Sequence, residues 1–425
     1  MLLHKRENFP YPVKPFTRKM RLMGKKRIMK KLFILAFLLF ATHSNVPAQL
    51  SKQEMRNDLE VFATTLPQKH LNLFAKLDKK DFEKKISTLN ARIDSLDEES
   101  FFIELFQIIK AVGDEHTRLF PNQSNYQLPI VFSVFKEGCF VTESTRPELL
   151  YGKLTAINGI SMKEILRRYK KIINDENPSY FNISLPRYLN NTFILKGLGI
   201  TSTKDSVVCS FSDGKGDTIV TTLKPDPNAK RIKAPAYSQL EAFKNAGIYG
   251  QHYDAAHNSL YVYYHSCRND KERPFGTFMQ ELFDTIARRS PQKLIIDLRY
   301  NGGGNSSILD PLIDSLQNNY LAREQSLYVL IGKQTFSSAL LNAMSLKKKC
   351  HAILVGEPTA GTVNHYGETR TFKLPCSHAT VTYSTKYFET WKGHDGALHP
   401  DKAIAASAED FKRGHDTVLE YIYRL

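Results

Sequence analysis

Apolar residues recur at helical spacing in the first periodic part of the chain, residues 49–125. Ser51 and Glu54 stand three residues apart and predict a capping box at the first helix. The last helix of this part is expected to end at Gly113, because glycine is a common C-cap. Two further helical stretches of this N-terminal helical region are predicted at residues 79–93 and 98–112.

The apolar period shortens to two in residues 126–250, which predicts a β-rich region. Residues 206–211 and 218–223 flank Asp213-Gly214 and predict a hairpin. A proline-rich stretch near the end of this region indicates a connection to the next domain.

Strand-like and helical stretches alternate in residues 251–425, a pattern typical of an α/β sheet. Open α/β sheets bind their ligands at the carboxyl ends of the strands. The whole pattern predicts an α+β multidomain protein with a helical N-terminal part, a β-rich middle and a C-terminal α/β core.

The net charge of +16 is concentrated at the N-terminus. Residues 1–31 contain eleven of the 59 Lys and Arg residues and one of the 43 acidic residues, and residues 32–41 are all apolar. This pattern is typical of a signal peptide, so residues 1–48 are predicted to be a leader, with Met29 as an alternative start and Gln49 near the mature N-terminus. We therefore expect a periplasmic or extracellular protein, with no membrane span after leader removal and no nucleic-acid partner.

The five cysteines are widely spaced and include no Cys-x-x-Cys pair. No other motif indicates a metal site, so we expect neither a metal nor a cofactor. We interpret the cysteines as buried small hydrophobic residues. They are Cys139, Cys209, Cys267, Cys350 and Cys376.

Two loops at predicted carboxyl ends of strands carry the candidate chemistry. Three consecutive glycines at 302–304 follow a strand that ends near Asp297, and their uncovered N–H groups suit an oxyanion or a phosphate. Ser337 follows the next strand at the start of a helix. Its hydroxyl either caps this helix or faces a pocket shared with the glycine loop.

Four motifs follow one another within residues 259–405, and together they resemble the tail-specific (carboxy-terminal processing) serine peptidases and their tricorn-like relatives. The resemblance implies a ClpP/crotonase-like catalytic core, a PDZ-like module in the β-rich middle and a polypeptide substrate. It also implies Ser337 as the nucleophile, with backbone N–H groups of Gly302 or Gly303 and of Ser338 as oxyanion donors. The motifs are Asp297-Leu298-Arg299-x-Asn301-Gly302-Gly303, Thr335-Phe336-Ser337-Ser338-Ala339, Val355-Gly356-Glu357-Pro358-Thr359-x-Gly361 and Pro400-Asp401.

The residue that acts as general base in one branch of that family is absent from this sequence. Thr362 stands where members with a Ser-Lys dyad carry the lysine, and a threonine cannot act as the base. The tricorn-like branch uses a histidine just after an N-terminal helix, a context that the Asp-Glu-His-Thr segment at 114–117 resembles. His116 is therefore the predicted base, since imidazole titrates in the required range, and His365 is the alternative.

By the same resemblance, an acidic residue is expected shortly before the Pro-Asp motif. Asp395 is predicted to orient His116 and Glu389 is the reserve, although Asp395-Gly396 is also an ordinary turn sequence. The sequence thus predicts an exported serine endopeptidase. A peptide-binding pseudopeptidase of the same fold and a nucleotide-binding enzyme that uses the glycine loop are the alternatives, and the oligomeric state stays open.

Overall fold

Three α-helices open the part of the chain that the computed structural model describes, which is residues 49–213, 216–245 and 247–425. The predicted capping box between Ser51 and Glu54 is confirmed, and Gly113 ends the third helix with a φ of 72°. The residues after Gly113 therefore leave the helix abruptly and lead into a short strand. These elements are α1 (Lys52–Lys69), α2 (Lys79–Arg92), α3 (Glu98–Val112) and β1 (Arg118–Phe120).

The middle of the chain forms an antiparallel sheet with the strand order β2-β3-β4-β6-β7, in which β5 also pairs with β4 and β8 with β3. The predicted hairpin strands are confirmed as β6 and β7, while residues 214 and 215 of their turn lie outside the described residues. Three helices, α4, α5 and α6, lie within the predicted β-rich region. The elements are β2 (Ile130–Phe135), β3 (Gly138–Ser144), β4 (Lys153–Ile157), β5 (Ile160–Ser161), α4 (Met162–Tyr169), α5 (Pro178–Leu189), α6 (Thr192–Gly197), β6 (Val207–Ser212), β7 (Thr218–Leu223) and β8 (Ile232–Lys233).

The C-terminal part confirms the predicted alternation of strands and helices. Its sheet has the order β16-β13-β12-β11-β10-β9, with parallel pairing throughout except between β9 and β10. The elements are β9 (Tyr249–Asp254), β10 (Ser259–Tyr264), α7 (Phe275–Arg289), β11 (Lys293–Asp297), α8 (Asp310–Gln317), β12 (Leu327–Ile331), α9 (Ser338–Cys350), β13 (Ile353–Gly356), β14 (His365–Lys373), β15 (Thr380–Phe388), β16 (Lys402–Ala403), α10 (Ala408–Lys412) and α11 (Thr417–Tyr423).

Both faces of this sheet are buried, which explains why its strands are continuous apolar runs. Leu294 and Ile296 belong to the core that also holds apolar residues of α7, α8 and α9, whereas Ile295 belongs to a second core with Val418 and Ile422 of α11. Successive strand residues point to opposite faces, so this alternation follows from the backbone geometry.

A three-stranded sheet with the order β1-β15-β14 joins distant parts of the sequence. Leu119 of β1 pairs with Val381 of β15. The buried carboxylate of Asp58 on α1 accepts the backbone N–H groups of Cys376 and Ser377 in the β14–β15 turn, at 2.8 and 3.0 Å. This small sheet therefore fastens the N-terminal helices to the C-terminal part of the chain.

Residues 50–425 group as one compact unit. The domain boundaries at residues 125 and 250 stay predictions, and the predicted leader at residues 1–48 lies outside the described residues. Within the described ranges, no helix has the length and apolar character that crossing a membrane requires.

Candidate active site

The glycine loop and the loop that carries Ser337 lie side by side at the carboxyl edge of the parallel sheet. Asp297 at the end of β11 is in register with Leu330 of β12, so the chain leaves both strands at the same edge. The two loops are also bonded to each other, since the Phe336 N–H donates to the Asn301 carbonyl at 3.1 Å. The geometry places Ser337 and the glycines in one small region.

Ser337 has a backbone conformation that residues other than glycine rarely adopt. Its φ is 53° and its ψ is −126°, at the residue just before α9. Its side chain forms no hydrogen bond that caps the helix, and the residue is partly exposed. A sharp strand-to-helix turn of this kind, which costs about 1–3 kcal/mol, is typical of serines whose hydroxyl is presented to a substrate.

Gly303 permits the close approach of the two loops. Its φ is 103°, and a Cβ atom at this position would lie 2.9 Å from the Ser337 Cβ and 3.1 Å from the Ser338 nitrogen. The Gly303 N–H already donates to the Asn301 side-chain oxygen at 2.9 Å. It is therefore not free to bind an oxyanion in this conformation.

Two other backbone N–H groups at this edge are available. Gly302 is exposed, with open space where a Cβ would lie, and Ser338 is the first residue of α9, where an N–H has no partner within the helix. Among the described residues, neither N–H has a hydrogen-bond acceptor. Of the predicted oxyanion donors, Gly302 and Ser338 therefore suit the role better than Gly303.

His116 lies directly against the residue that precedes Ser337. Its ring stacks on the Phe336 ring, with 4.4 Å between the centroids and an angle of 30°. The imidazole is buried, and both of its nitrogens lack a hydrogen-bond partner among the described residues. Burial lowers the pKa of His116, which opposes the raising effect of Asp114, so the ring is neutral at physiological pH.

Asp114 organises the loop that carries His116. Its carboxylate accepts the His116 backbone N–H at 2.9 Å and the Thr117 and Ser384 hydroxyls, both at 2.6 Å. The same carboxylate accepts a hydrogen bond from His70 Nε2 at 3.0 Å and lies 4.0 Å from His116 Nδ1. Burial raises the pKa of Asp114, but the hydrogen bond from His70 and the nearby His116 outweigh it and hold the pKa below its usual range.

Asp395, the predicted orienting acid, is not brought to His116. Its side chain is exposed, and no hydrogen bond or ion pair joins it or the exposed Glu389 to His116 within the described part of the chain. A turn at this point is explained by the positive φ of Gly396, which is 90°. A carboxylate that does lie close to the imidazole belongs to Asp114, two residues before the histidine, at 4.0 Å from Nδ1.

His365 stacks against the His116 ring. The two rings are nearly parallel, with 5.3 Å between their centroids. His365 Nδ1 is 2.9 Å from the Thr362 carbonyl, which can only accept, so Nδ1 carries the proton and Nε2 holds the lone pair. The structure therefore places both candidate bases in one stack beside Phe336, and no hydrogen bond joins either of them to Ser337 among the described residues.

Glu115 is a buried acid that the sequence interpretation left without a role. Its Oε2 atom has no hydrogen-bond partner among the described residues, and burial raises its pKa to about 8. Thr362, which stands in place of a dyad lysine, donates its hydroxyl to the Asn364 carbonyl at 3.0 Å. The position that the resemblance assigns to a dyad lysine therefore holds a neutral hydroxyl with a hydrogen bond of its own, and Glu115 is a largely protonated acid at pH 7.

In the described residues, no group of three or more His, Cys, Asp or Glu side chains has the arrangement of a metal site. Four of the five cysteines are buried, as interpreted from the sequence, and Cys376 is partly exposed. The nearest cysteine to the site is Cys267, whose thiol donates to the side-chain oxygens of Asn301 and Asn342.

A scan against protein-family profiles and a search of curated proteins gave no match. Among solved structures, mature CPAF superposes with a TM-score of 0.59 at 12% identity, over 87% of this chain and 96% of that chain. CPAF complexed with lactacystin gives 0.59 at 13% identity, over 88% and 97%. The photosystem II D1 C-terminal processing protease gives 0.42 at 13% identity, over 87% and 96%.

The fold is similar to that of CPAF. At this level of identity the likeness shows the fold alone, and it supports the tail-specific peptidase fold that the four motifs led us to expect. The arrangement of helices and sheets is a mixed α and β architecture of that kind.

Proposed function

We propose that this protein is an exported serine endopeptidase that cleaves unfolded proteins or peptides. The observation that carries the proposal is the strained backbone of Ser337, whose hydroxyl does not cap α9 and whose neighbour Phe336 contacts the His116 ring. Solved structures of similar fold include proteases, which supports the assignment to this class of enzyme.

In the proposed mechanism, Ser337 Oγ attacks the scissile carbonyl while His116 takes the hydroxyl proton. The N–H groups of Gly302 and Ser338 bind the oxyanion of the tetrahedral intermediate. The intermediate then collapses to an acyl-enzyme, and the leaving amine receives the proton from the imidazolium. A water molecule, deprotonated by the same histidine, releases the acid product and restores the serine.

The orienting acid in this proposal is Asp114, in place of Asp395. The Asp114 carboxylate fixes the His116 backbone and lies 4.0 Å from Nδ1, so a small rotation of the ring converts this contact into a hydrogen bond. Catalytic hydrogen bonds are often incomplete without substrate, so we infer that a bound peptide completes them.

The decisive experiment compares Ser337→Ala with Ser315→Ala, a serine whose hydroxyl donates to a carbonyl within α8. Cleavage of a fluorescently labelled unfolded protein is expected to fall at least about 1000-fold in Ser337→Ala and to stay unchanged in the control. Full activity of Ser337→Ala would overturn the assignment. His116→Ala and His365→Ala, assayed in the same way, identify the base as the variant that loses activity to the same extent.

A catalytically inactive peptide-binding protein of this fold is the second candidate function. It is favoured by the two unpartnered nitrogens of His116 and the missing hydrogen bond to Ser337 in the described residues. A fluorophosphonate probe distinguishes the two, because an activated serine is labelled and an inactive one is not. Export is tested separately by N-terminal sequencing of the protein from the culture medium or periplasm, where Gln49 is the expected first residue.

A further inference from the structure

Arg118 is a cation held in a fixed position beside Phe336, the residue that precedes the proposed nucleophile. Its guanidinium carbon lies 5.0 Å from the Phe336 ring centroid and 5.4 Å from that of Tyr180, and its Nε donates to the Glu115 carbonyl at 2.7 Å. Stacking between two aromatic rings and one backbone bond restrict the side chain before any ligand binds.

This guanidinium has no acidic partner among the described residues within the 4.0 Å that defines an ion pair. The nearest acid along the chain is Glu115, and burial raises the pKa of its carboxyl to about 8. The charge of Arg118 counteracts this shift only in part, so Glu115 carries only a fraction of a negative charge near pH 7.

Arg118 lines a cleft of about 1060 Å³ that also contains Gly302 and Phe336. Most charged side chains of this cleft are already in ion pairs. Lys333 pairs with Glu357 at 2.8 Å. Glu143 pairs at 3.6 Å with Arg231, which does not line the cleft. Arg299 is likewise paired with two aspartates. Three cations of the lining have no acidic partner in the described part of the chain, and they are Arg118, Arg187 and Lys233.

Arg187, on α5, lines the same cleft. Gly302, a proposed oxyanion donor, lines this cleft, and Phe336, on which Arg118 stacks, immediately precedes Ser337. A peptide bound with its scissile carbonyl at Gly302 therefore occupies the cleft that Arg118 lines.

We propose that Arg118 binds a carboxylate of the polypeptide substrate close to the scissile bond. The inference rests on the proposed function and adds a substrate class to it, namely peptides with a carboxylate near the cleaved bond. The planar guanidinium binds both oxygens of a carboxylate, which a lysine in the same place cannot do. The carboxylate comes either from an acidic side chain or from the C-terminus of the substrate.

A set of four internally quenched peptides distinguishes these sources. The peptides share one sequence, carry Glu or Gln beside the cleaved bond, and end in a free or an amidated carboxyl group. A preference of about 10-fold or more in kcat/KM for Glu over Gln identifies the side chain as the ligand, and the same preference for the free over the amidated end identifies the C-terminus. Equal cleavage of all four peptides would refute the inference.

The matched variants are Arg118→Gln, Arg118→Lys and Arg413→Gln. Arg413 is an exposed arginine after α10 that pairs with Glu409, and its substitution is expected to leave the preference unchanged. Arg118→Gln is expected to abolish the preference and Arg118→Lys to keep a part of it, since the charge stays but the two-point contact is lost. Retention of the full preference in a folded Arg118→Gln protein would equally overturn the inference.

Binding to the Ser337→Ala protein separates this inference from the proposed function. Fluorescence anisotropy measures the affinity of the same four peptides without turnover. Carboxylate-dependent binding that Arg118→Gln removes, together with no cleavage by the unaltered protein, supports the carboxylate site and disproves the peptidase. Cleavage without any dependence on the carboxylate supports the peptidase and disproves the site.

Discussion

Replacement of Asp416 tests whether a buried charge network fastens the C-terminal helix to the sheet. Arg299, two residues after β11, donates to Asp297 through Nε and Nη2, and to both oxygens of Asp416 at 2.7 and 2.6 Å. The Asp416 carboxylate also caps α11 through the Val418 N–H at 3.2 Å. Asp416 therefore serves as an ion-pair partner and as a helix cap.

The magnitude follows from these two roles. Removal of one partner of a buried ion pair costs about 3–5 kcal/mol, and the lower end applies here because Arg299 keeps its bonds to Asp297. Loss of an N-cap costs about 1 kcal/mol more. We expect Asp416→Asn, which keeps a capping oxygen, to lose about 3 kcal/mol of unfolding free energy and Asp416→Ala to lose about 4 kcal/mol, which is a large part of a typical total of about 5–15 kcal/mol.

Urea denaturation followed by circular dichroism measures these differences as shifts of the unfolding midpoint. Glu409→Gln is the matched control, since it breaks the exposed pair between Glu409 and Arg413 and is expected to cost about 0.3–0.5 kcal/mol. If Asp416→Asn shifts the midpoint no further than Glu409→Gln, the network does not hold the helix in the way that its geometry indicates.

Two further predictions concern the site itself. Gly303→Ala is expected to cost about 1–3 kcal/mol of unfolding free energy, because the new Cβ would meet the Ser337 side chain and the backbone φ is positive. The control Gly302→Ala places its Cβ in open space and is expected to cost under about 0.5 kcal/mol. Equal urea midpoints for the two variants would contradict this prediction. Asp114 has a folded pKa of about 2, below about 3.9 in the unfolded chain, so its stabilising effect is present above pH 4 and is lost as the pH falls toward 2. Glu115 has a pKa of about 8 in the folded protein, above its value of about 4.3 in the unfolded chain. Its contribution to stability is therefore fully present below pH 4 and is lost as the pH rises through 8. We therefore expect the pH dependence of the unfolding free energy to change in opposite directions in Asp114→Asn and Glu115→Gln, each compared with the unaltered protein. Curves parallel to that of the unaltered protein would disprove the sign of the corresponding shift.

The elements with local signals could be predicted from the sequence. The capping box at Ser51, the C-cap at Gly113 and the alternation of strands and helices after residue 250 all depend on residues within a few positions of one another. The shared position of Ser337 and the glycine loop followed from the topology of parallel sheets, in which successive strands end at one edge.

The contacts that depend on distant residues could not be predicted in this way. No sequence pattern near β1 indicates that it pairs with β15, and none near β14 or β15 indicates the pairing with β1. The resemblance points to Asp395 as the orienting acid from its position before the Pro-Asp motif, whereas the fold places Asp114 beside His116. The Asp-x-His spacing was the available signal, because an aspartate commonly accepts the backbone N–H two residues later.

The pairing of β1 with β15 has a consequence for the timing of synthesis. Arg118 and Thr382 are neighbours in the folded protein but are separated by 264 positions in the chain. A ribosome that adds about 5–20 residues per second needs roughly 13–50 s to pass from Arg118 to Thr382. During this interval β1, which follows the loop that carries His116, has no partner strand. A nascent chain or an N-terminal fragment that ends before β15 therefore lacks the proposed catalytic arrangement, so activity is confined to chains whose translation has passed Phe388.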